Sequence, residues 1–445
     1  MANDADRRGF PGIVRATDPG PGAGVADGLH PGRGLLMACL AAFACYAVML
    51  AVLDHGAEEV WGAWAAVGYG AAVILAWHSR GRAVALVIGL AGCLAAPVLL
   101  APAGGPEMAA VSVVVRSAWL LVHHGVPYLP AGQLLSWQSY DPYLPAMAIF
   151  GLPRLAGLPG LAGDPRAWLT VVTAAVLAVA FAVARPCAWW RCGRCRRDTL
   201  LLAALALASP FIAMPLALGV TDPPVIALIC LALACVARGN SRVLPDRFAT
   251  GRPLPGWAVL AGLAVGAACA VKFTAWPAVP VIASMLAARD GAKAAVRFAA
   301  ASVLSAVALT LATAPGIFAA PGTLFENTVE YPLGLTHQRT PAASPLPGHL
   351  LAYTGSAGHL AATVLLLAAG LAVVASLVWR PPRGARAAAL RLAAGLTLMI
   401  LLAPDARFGY VAYPAGLLGW LALTGQPVRL PRRLTGLFQR PATTG

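Results

Sequence analysis

The sequence predicts an all-α polytopic membrane protein with about 12 transmembrane helices and two external interfacial helices in the loop at 103–166. Of its 445 residues, 59% are hydrophobic and only 11% are charged, which is too few charges for a water-soluble surface. Several apolar runs, such as 35–53 and 83–102, reach the length of about 20 residues that a helix needs to cross a bilayer. The basic residues lie mostly between such runs, as in the loops of a membrane protein.

The excess of basic residues gives the chain a net charge of +15. In a soluble protein this charge would favour a nucleic-acid partner. Here the 32 basic residues are nearly all arginines scattered between apolar runs, so membrane topology explains them and we expect no nucleic acid. The positive-inside tendency makes the basic face cytoplasmic and places most acidic residues on the external face.

The charge pattern predicts the order of the spans from a cytoplasmic N-terminus. Residues 1–33 lack the apolar core and cleavage site of a signal peptide and are expected to form a disordered cytoplasmic tail. Two additional helices follow at 34–82, then the main membrane domain at 83–424 and a basic cytoplasmic tail at 425–445. The predicted spans lie near 35–53, 60–78, 83–102, 167–184, 199–218, 222–238, 256–272, 274–288, 298–315, 358–378, 391–404 and 408–424.

The apolar stretch at 141–156 is not counted as a span. It is short and carries Pro142, Pro145, Pro153 and Arg154, all of them costly inside a bilayer. Counting it would also move the arginines between 185 and 197 to the external face, against the positive-inside tendency. An interfacial helix at this position keeps the later loops consistent and leaves both termini cytoplasmic.

The nine cysteines do not indicate a disulfide framework, because most of them lie inside predicted spans, where they act as small apolar residues. Cys187, Cys192 and Cys195 share one basic loop, but a zinc site there would need a fourth ligand and none is nearby. We therefore expect reduced thiols, and no motif in the sequence identifies a cofactor. A divalent metal stays possible at an external carboxylate.

Two external segments are long, at 103–166 and 316–357. In the first, residues Val111, Val114, Val115, Ala118, Trp119 and Val122 recur at helical spacing, which predicts an amphipathic helix along the membrane surface. In the second, proline and glycine residues surround Glu326, Glu330 and Arg339 and favour an ordered lid. Long external loops are typical of an enzyme that works at the membrane surface.

The order of these elements resembles the polyprenyl-phosphate-sugar-dependent glycosyltransferases of the C-type membrane fold, most closely the actinobacterial family 87 mannosyltransferase-like branch. The resemblance covers roughly 83–424 and lies in a shared order of short motifs. These are a span followed by an acid at Glu107, Leu120-Leu121 with Gly125-Val126-Pro127-Tyr128, Tyr140 to Pro145, Ser209-Pro210 before Thr221-Asp222, and Gly262-Leu263-Ala264 before Lys272.

The resemblance implies a glycosyl transfer that needs a base for the acceptor hydroxyl and cations for the departing phosphate. Glu107 is the preferred base, although the family usually has an aspartate about three residues further along, and Asp141 is the competing candidate. Asp222 is expected to bind acceptor hydroxyls, a metal or a second cation of the site. Each acid also has a structural reading, as a solvated loop residue or as the N-cap of a helix.

Five residues are predicted to bind the phosphate group: Lys272, Arg407, His123, His124 and Arg339. Lys272 ends an apolar span on the external side, where an intramembrane cation needs a partner. The structural alternatives are a lysine that snorkels to the headgroups and a surface pair between Asp405 and Arg407. For the two histidines the alternative is a simple position at headgroup level.

The predicted protein is thus a multi-pass cell-membrane enzyme that moves a sugar, with mannose as the first candidate, to a glycan or glycolipid acceptor on the external face. Its expected partners are the lipid bilayer, the polyprenyl-phosphate-linked donor and the acceptor. A secondary transporter with 12 helices is the alternative, and a non-catalytic membrane scaffold is the third interpretation. Against a transporter, the unusual acids and cations lie at the external ends of spans and not at the midplane.

Overall fold

A computed structural model describes residues 33–78, 81–99, 109–184, 193–239, 256–319, 321–338 and 344–424. The regular secondary structure of these residues is helical, and they contain no strand. The α-helices in chain order are α1 (Arg33–Leu53), α2 (Ala57–His78), α3 (Arg82–Leu90), α4 (Ala96–Leu99), α5 (Ala109–His124), α6 (Leu152–Leu155), α7 (Pro165–Ala184), α8 (Gly193–Leu207), α9 (Pro210–Leu218), α10 (Asp222–Arg238), α11 (Gly256–Val271), α12 (Ala278–Asp290), α13 (Ala292–Thr313), α14 (Pro321–Phe325), α15 (Pro347–Ala352), α16 (Ser356–Trp379), α17 (Ala385–Leu402) and α18 (Ala412–Leu423).

Shorter helical turns connect several of these helices. The 3₁₀ turns are Ala131–Gln133, Trp137–Ser139, Pro145–Gly151, Gly160–Gly163, Phe273–Ala275, Pro315–Ala319 and Phe408–Val411, and the π-helical turns are Ala91–Ala95 and Glu326–Glu330. Each of the predicted spans has a helix or a pair of helices at its position, so the all-α prediction is confirmed for the described residues.

Six helices of the described chain are long and apolar enough to cross a membrane: α1, α2, α7, α13, α16 and α17. A seventh span is possible if α8 and α9, which meet at an angle of 65°, cross as one bent pair. The remaining apolar helices, including α11, are shorter than this test requires. The structure therefore indicates a multi-pass membrane protein, while the count of 12 spans stays a prediction.

The bend between α8 and α9 has a local cause at Ser209-Pro210. Proline has no backbone N–H, so the helix cannot continue its hydrogen-bond ladder through Pro210. The bend leaves the carbonyl of Ala208 outside that ladder, and the buried hydroxyl of Tyr69 donates a hydrogen bond to it. A residue of α2 thus satisfies the backbone group that the broken span exposes.

The helices pack closely where glycines replace larger side chains. Gly262 of α11 lies so near α13 that a Cβ atom there would stand 2.6 Å from the carbonyl oxygen of Phe298. Gly266, one turn later, faces Ser302 and Ser305 equally closely. Small residues at such positions let helix backbones approach each other in a membrane. Since both contacts advance in the same direction, α11 and α13 run parallel.

The first helices pack into an apolar cluster that includes part of α8 and α9. Trp61 of α2 donates a hydrogen bond of 2.8 Å to the carbonyl of Cys93 in the π-helical turn. At the same crossing Gly68 and Gly92 lie against each other, and a Cβ on Gly68 would stand 2.6 Å from the Cα of Gly92. The two helices that precede the family-like region are therefore firmly attached to it.

The first predicted interfacial helix corresponds to α5, while the second takes a different form. Residues Pro145–Gly151 form a 3₁₀ helix, and only Leu152–Leu155 are α-helical. The prolines at 145 and 153 and the close contact of Gly151 with the Val114 carbonyl of α5 explain this shape. With 11 residues, the segment falls short of the length of about 20 that a span needs.

Candidate active site

A buried ion pair joins the start of α10 to the end of α11. The Nζ atom of Lys272 lies 2.5 Å from Oδ1 of Asp222, and the two side chains are only 7% and 1% exposed. Thr221 occupies the N-cap position of α10, and Asp222 is the first helical residue, so its carboxylate is directed at the lysine and is not the N-cap. Lys272 has an extended backbone (φ −154°, ψ 140°), so α11 ends at the residue directly before it.

Gly219 sets the path of the chain into α10. It ends α9 with a φ of +83°, a conformation that glycine adopts most readily. A Cβ atom there would also meet Val111 of α5 and the Arg166 side chain of α7. The turn that presents Asp222 therefore requires a residue without a side chain.

Two tyrosine rings flank the ammonium group of Lys272. The Nζ atom lies 5.4 Å from the ring centroid of Tyr143 and 5.3 Å from that of Tyr410, within the range of cation–π attraction. The hydroxyl of Thr221 is 3.5 Å away. A snorkelling lysine would place its ammonium among the headgroups, whereas Lys272 is only 6% exposed and is held by a carboxylate and two aromatic faces.

The energetics of this pair depend on both partners being present. Removing two charges from water costs several kcal/mol, and a close contact with further hydrogen bonds offsets that cost. A change that leaves only one of the charges in place leaves it buried without compensation. Asp222 and Lys272 thus form one unit, and a mechanism that uses either residue must keep the other.

Asp141 is buried in the same part of the molecule, with 3% of its surface exposed. Its Oδ2 accepts a hydrogen bond of 2.5 Å from Ser117 of α5, and its Oδ1 accepts one of 3.0 Å from the backbone N–H of Tyr143. Burial raises the pKa of Asp141 to about 7, although the bonds from Ser117 and Tyr143 and the nearby Arg116 act in the opposite direction. A carboxyl group with this pKa is poised to accept a proton near neutral pH.

The turn before Asp141 is held by Arg116. The guanidinium donates hydrogen bonds to the backbone carbonyls of Gln138, Ser139 (3.0 Å) and Tyr140 (3.1 Å). Arg116 is not among the residues that the sequence predicts for the site. Its position on α5, next to Ser117, gives it the structural task of fixing the segment that carries Asp141.

The second long loop also contacts this segment. The side-chain oxygen of Asn327 accepts a hydrogen bond of 2.8 Å from the backbone N–H of Asp141, and Asn327 is fully buried. The ring of Tyr331 stacks on Tyr140 with 4.2 Å between centroids. Asn327 and Tyr331 thus tie the second long loop to the segment of the candidate acid, while the role of this loop as a lid stays a prediction.

Tyr143 connects the two arms of the site. Its N–H binds Asp141, and its ring covers the ammonium of Lys272. The next residue, Leu144, donates a backbone hydrogen bond of 3.1 Å to the carbonyl of Val271, directly before the lysine. One four-residue segment, 141–144, therefore links Asp141 to the Asp222–Lys272 pair at one end of the helix bundle.

The other predicted residues lie outside this arrangement or outside the described residues. His123 and His124 are exposed on α5, where both rings contact Trp119, and the His123 ring stacks on it at 4.4 Å. Arg407 is partly exposed, three residues before Tyr410. Residues Glu107, Arg339, Cys187 and Cys192 lie outside the described residues.

Asp405, which the sequence predicts to pair with Arg407 at the surface, lies next to His349. The carboxylate of Asp405 lies 3.7 Å from Nδ1 of His349, which also contacts the carbonyl of Pro404 at 3.0 Å. The backbone N–H of Phe408 binds the Ser344 hydroxyl, so this turn is tied to the segment before α15. Arg407 therefore belongs to a fixed turn, three residues before Tyr410.

The carboxylates do not form a metal site in the part of the chain that the structure describes. No group of three His, Cys, Asp or Glu residues there could hold an ion. Asp222, the carboxylate considered for a divalent cation, is already bound to the Lys272 ammonium. A single carboxylate against a fixed positive charge does not suit a cation that takes six or more oxygen ligands.

Sequence reasoning missed several residues of the site. Ser117 is one of two serines in the largely apolar helix α5, and Asn327 is fully buried in the second long loop. Tyr410 and Tyr413 precede or begin the last helix, where the Tyr413 hydroxyl and Thr274 are 2.5 Å apart. A polar residue in an apolar helix is the signal that would have identified Ser117, because such a group needs a buried partner.

A family model described as Glycosyltransferase family 87 matches residues 142–404 of the chain, which is more than half of its length. The match contains Asp222, Lys272, Tyr143 and Asn327, and it begins one residue after Asp141. No curated protein and no solved structure matches the chain. The family implies a membrane glycosyltransferase, in agreement with the helical fold and the clustered acids and cation described above. The chain belongs to glycosyltransferase family 87.

Proposed function

We propose that this protein transfers a sugar from a polyprenyl-phosphate donor to an acceptor hydroxyl at the external face of the cell membrane. Mannose is the sugar that the family resemblance favours, and a glycan or glycolipid is the proposed acceptor. The observation that carries the proposal is the continuous contact from Asp141 through Tyr143 to the Asp222–Lys272 pair. A base and a cation are the two groups that this transfer needs within reach of one another.

In the proposed reaction, Asp141 accepts the proton of the acceptor hydroxyl. The acceptor oxygen forms a bond to the anomeric carbon of the sugar, and the bond from that carbon to the phosphate oxygen breaks. The electron pair leaves with the polyprenyl phosphate, so negative charge develops on the phosphate. Attack from the side opposite the phosphate inverts the anomeric configuration.

Lys272 is proposed to stabilise the charge that develops on the phosphate. Its ammonium has three donors, of which Asp222 takes one at 2.5 Å and Thr221 lies near a second at 3.5 Å. A phosphate oxygen can occupy the third. Arg407 is proposed to add a second phosphate contact because its planar guanidinium can bind two oxygens at once.

Asp222 is proposed to hold Lys272 in place and to keep it protonated in its buried position. Glu107 stays the alternative base, and the two candidates make separate predictions for substitution. The external orientation of the site rests on the charge pattern, since α7 begins next to Gly219 and the arginine-rich segment 185–197 follows its other end in the sequence.

The test is a transfer assay with protein in proteoliposomes, radiolabelled polyprenyl-phosphate mannose and an oligomannoside acceptor. Asp141→Asn is expected to abolish transfer, while Glu107→Gln leaves most of it. Asp54→Asn and Glu59→Gln, which remove one acid just after α1 and one in the first turn of α2, are matched controls. Movement of a solute across the vesicle wall without any sugar transfer would show a transporter and contradict the proposal.

A further inference from the structure

A second pocket lies at the opposite end of the helix bundle from Asp222 and Lys272. It has a volume of about 120 Å³ and is enclosed by the end of α10, the start of α11, the end of α12 and the start of α13. A space of this size holds several water molecules, and so also a phosphate-sized group. Because α10 and α11 each run from one site to the other, the two sites open on opposite faces of the membrane domain.

The charges around this pocket do not cancel. The Arg289 guanidinium binds the Asp290 carboxylate through two contacts of 2.9 and 2.5 Å, and its remaining nitrogen donates to the Val236 carbonyl at 2.9 Å. That pair is neutral as a unit. Lys293 and Arg297, one turn apart on α13, also line the pocket and are exposed. The described residues of the lining therefore carry an excess of two positive charges.

The walls of the pocket continue into a surface suited to lipid chains. Trp257, at the start of α11, lines the pocket, and tryptophan is enriched at the headgroup level of membranes. Val296, between the two basic residues of α13, is 65% exposed. Further along the same helices, Leu260 and Leu263 of α11 and Leu304 of α13 are 49%, 45% and 68% exposed. A cationic pocket above exposed apolar side chains matches a phospholipid with its phosphate at the top and its acyl chains below.

We propose that this pocket binds the phosphate group of an anionic phospholipid. Lys293 and Arg297 contact the phosphate, and Trp257 packs against the glycerol region. Basic pockets between helix ends are known as sites for anionic headgroups. The proposal is independent of the sugar transfer, because the pocket and the transfer site share no residue.

The experiment uses the full chain in detergent and counts bound lipid by native mass spectrometry during titration with phosphatidylglycerol. Lys293→Gln with Arg297→Gln is expected to weaken binding about tenfold or more, since each cation near a headgroup phosphate contributes about 1 kcal/mol. Lys293→Arg with Arg297→Lys is expected to retain it. Arg380→Gln with Arg383→Gln, which removes two charges just after α16 at the same end of the bundle, is the matched control.

Two further arms identify the source of the phosphate group. Phosphatidylcholine carries the same phosphate with a compensating charge and is expected to bind more weakly to the unchanged protein. Inorganic phosphate is expected not to displace bound phosphatidylglycerol; displacement at millimolar concentration would identify a free-phosphate site and overturn the lipid assignment. Equal loss of binding in the pocket variant and in the Arg380/Arg383 control would overturn the pocket altogether, as would no loss in either.

Discussion

The only two lysines of the sequence occupy opposite ends of one pair of parallel helices. Lys272 follows the end of α11 and is 6% exposed, with Asp222 at 2.5 Å and two tyrosine rings around its ammonium. Lys293 lies at the start of α13 and is exposed at the rim of a basic pocket. The same type of side chain is therefore buried and paired at one site and exposed to solvent at the other.

The difference lies in what surrounds each charge. A buried ammonium is stable only with a compensating partner, whereas an exposed one is solvated and contributes little to stability. Lys272 is thus tied to one geometry, as a group that stabilises a transition state must be. Lys293 is free to move with a headgroup, as a lipid contact requires. Separate substitutions of Lys272 and Lys293 test the proposed role of each lysine.

The largest expected effect is the loss of transfer in Asp141→Asn. The amide cannot accept the acceptor proton, so kcat is expected to fall by about 10²- to 10⁴-fold. Initial rates of transfer in proteoliposomes measure it, with the thermal unfolding midpoint as a control for folding. If Asp141→Asn retains transfer and Glu107→Gln loses it, the base is Glu107 and the assignment of Asp141 is wrong.

The two lysines give the next largest difference. Lys272→Gln is expected to lower kcat by about 10²- to 10³-fold because the phosphate loses a positioned donor. Lys293→Gln is expected to leave the rate within about twofold, since no phosphate of the reaction is near it. Similar losses in both variants would show that the positive charge acts through the whole protein and not at the site.

The stability of the ion pair needs its own measurement, because Lys272→Gln also leaves Asp222 buried without its partner. The single variants Lys272→Gln and Asp222→Asn are each expected to cost about 3–5 kcal/mol, and the double variant less than their sum. Thermal unfolding in detergent measures this cycle. A double variant that is well folded but inactive separates the catalytic role from the structural one; a well-folded and active double variant contradicts the role of the pair in transfer.

A smaller effect is expected from the ring of Tyr410. Tyr410→Leu removes one of the two aromatic faces over the Lys272 ammonium, which lies 5.3 Å from the ring centroid. A desolvated cation–π contact is worth up to about 2 kcal/mol, so transfer is expected to fall by about three- to thirtyfold. Tyr410→Phe keeps the ring and is expected to retain most of the activity. Equal loss in Leu and Phe variants would assign the role to the hydroxyl.

Much of the fold could be predicted from apolar periodicity and charge, because both follow directly from the solvent that each segment faces. The bend at Ser209-Pro210 and the 3₁₀ form of Pro145–Gly151 could not, although proline marks both places. Proline indicates that a helix is disturbed, but the direction of the bend depends on tertiary partners such as Tyr69 and Val114. Helix ends are therefore predictable to a few residues and their angles are not.

The site was predictable where a charge stood in an unfavourable place. Lys272 was predicted because an ionisable group at the end of an apolar span needs a partner, and Asp222 because it follows Ser209-Pro210 in the family-like order of motifs. In the structure the two form one pair. Ser117 and Asn327 are neutral, and their importance arises only from contacts with Asp141 across 24 and 186 residues of sequence. Contacts over such distances depend on packing, which a single sequence does not display.

The smallest expected effect is a shift in the pH dependence of transfer, which tests whether Asp141 is the base. Because burial raises the pKa of Asp141 to about 7, its ionised form appears only as the pH rises through that value, and transfer is expected to increase between about pH 6 and pH 8. Ser117 lowers this pKa by donating a hydrogen bond to the carboxylate, so Ser117→Ala is expected to move the rise upward by about one pH unit. The rate at high pH should stay nearly unchanged, and Ser112→Ala, elsewhere on α5, is the matched control. A pH profile that does not move in Ser117→Ala would mean that another group, with Glu107 as the first candidate, sets the acid limb.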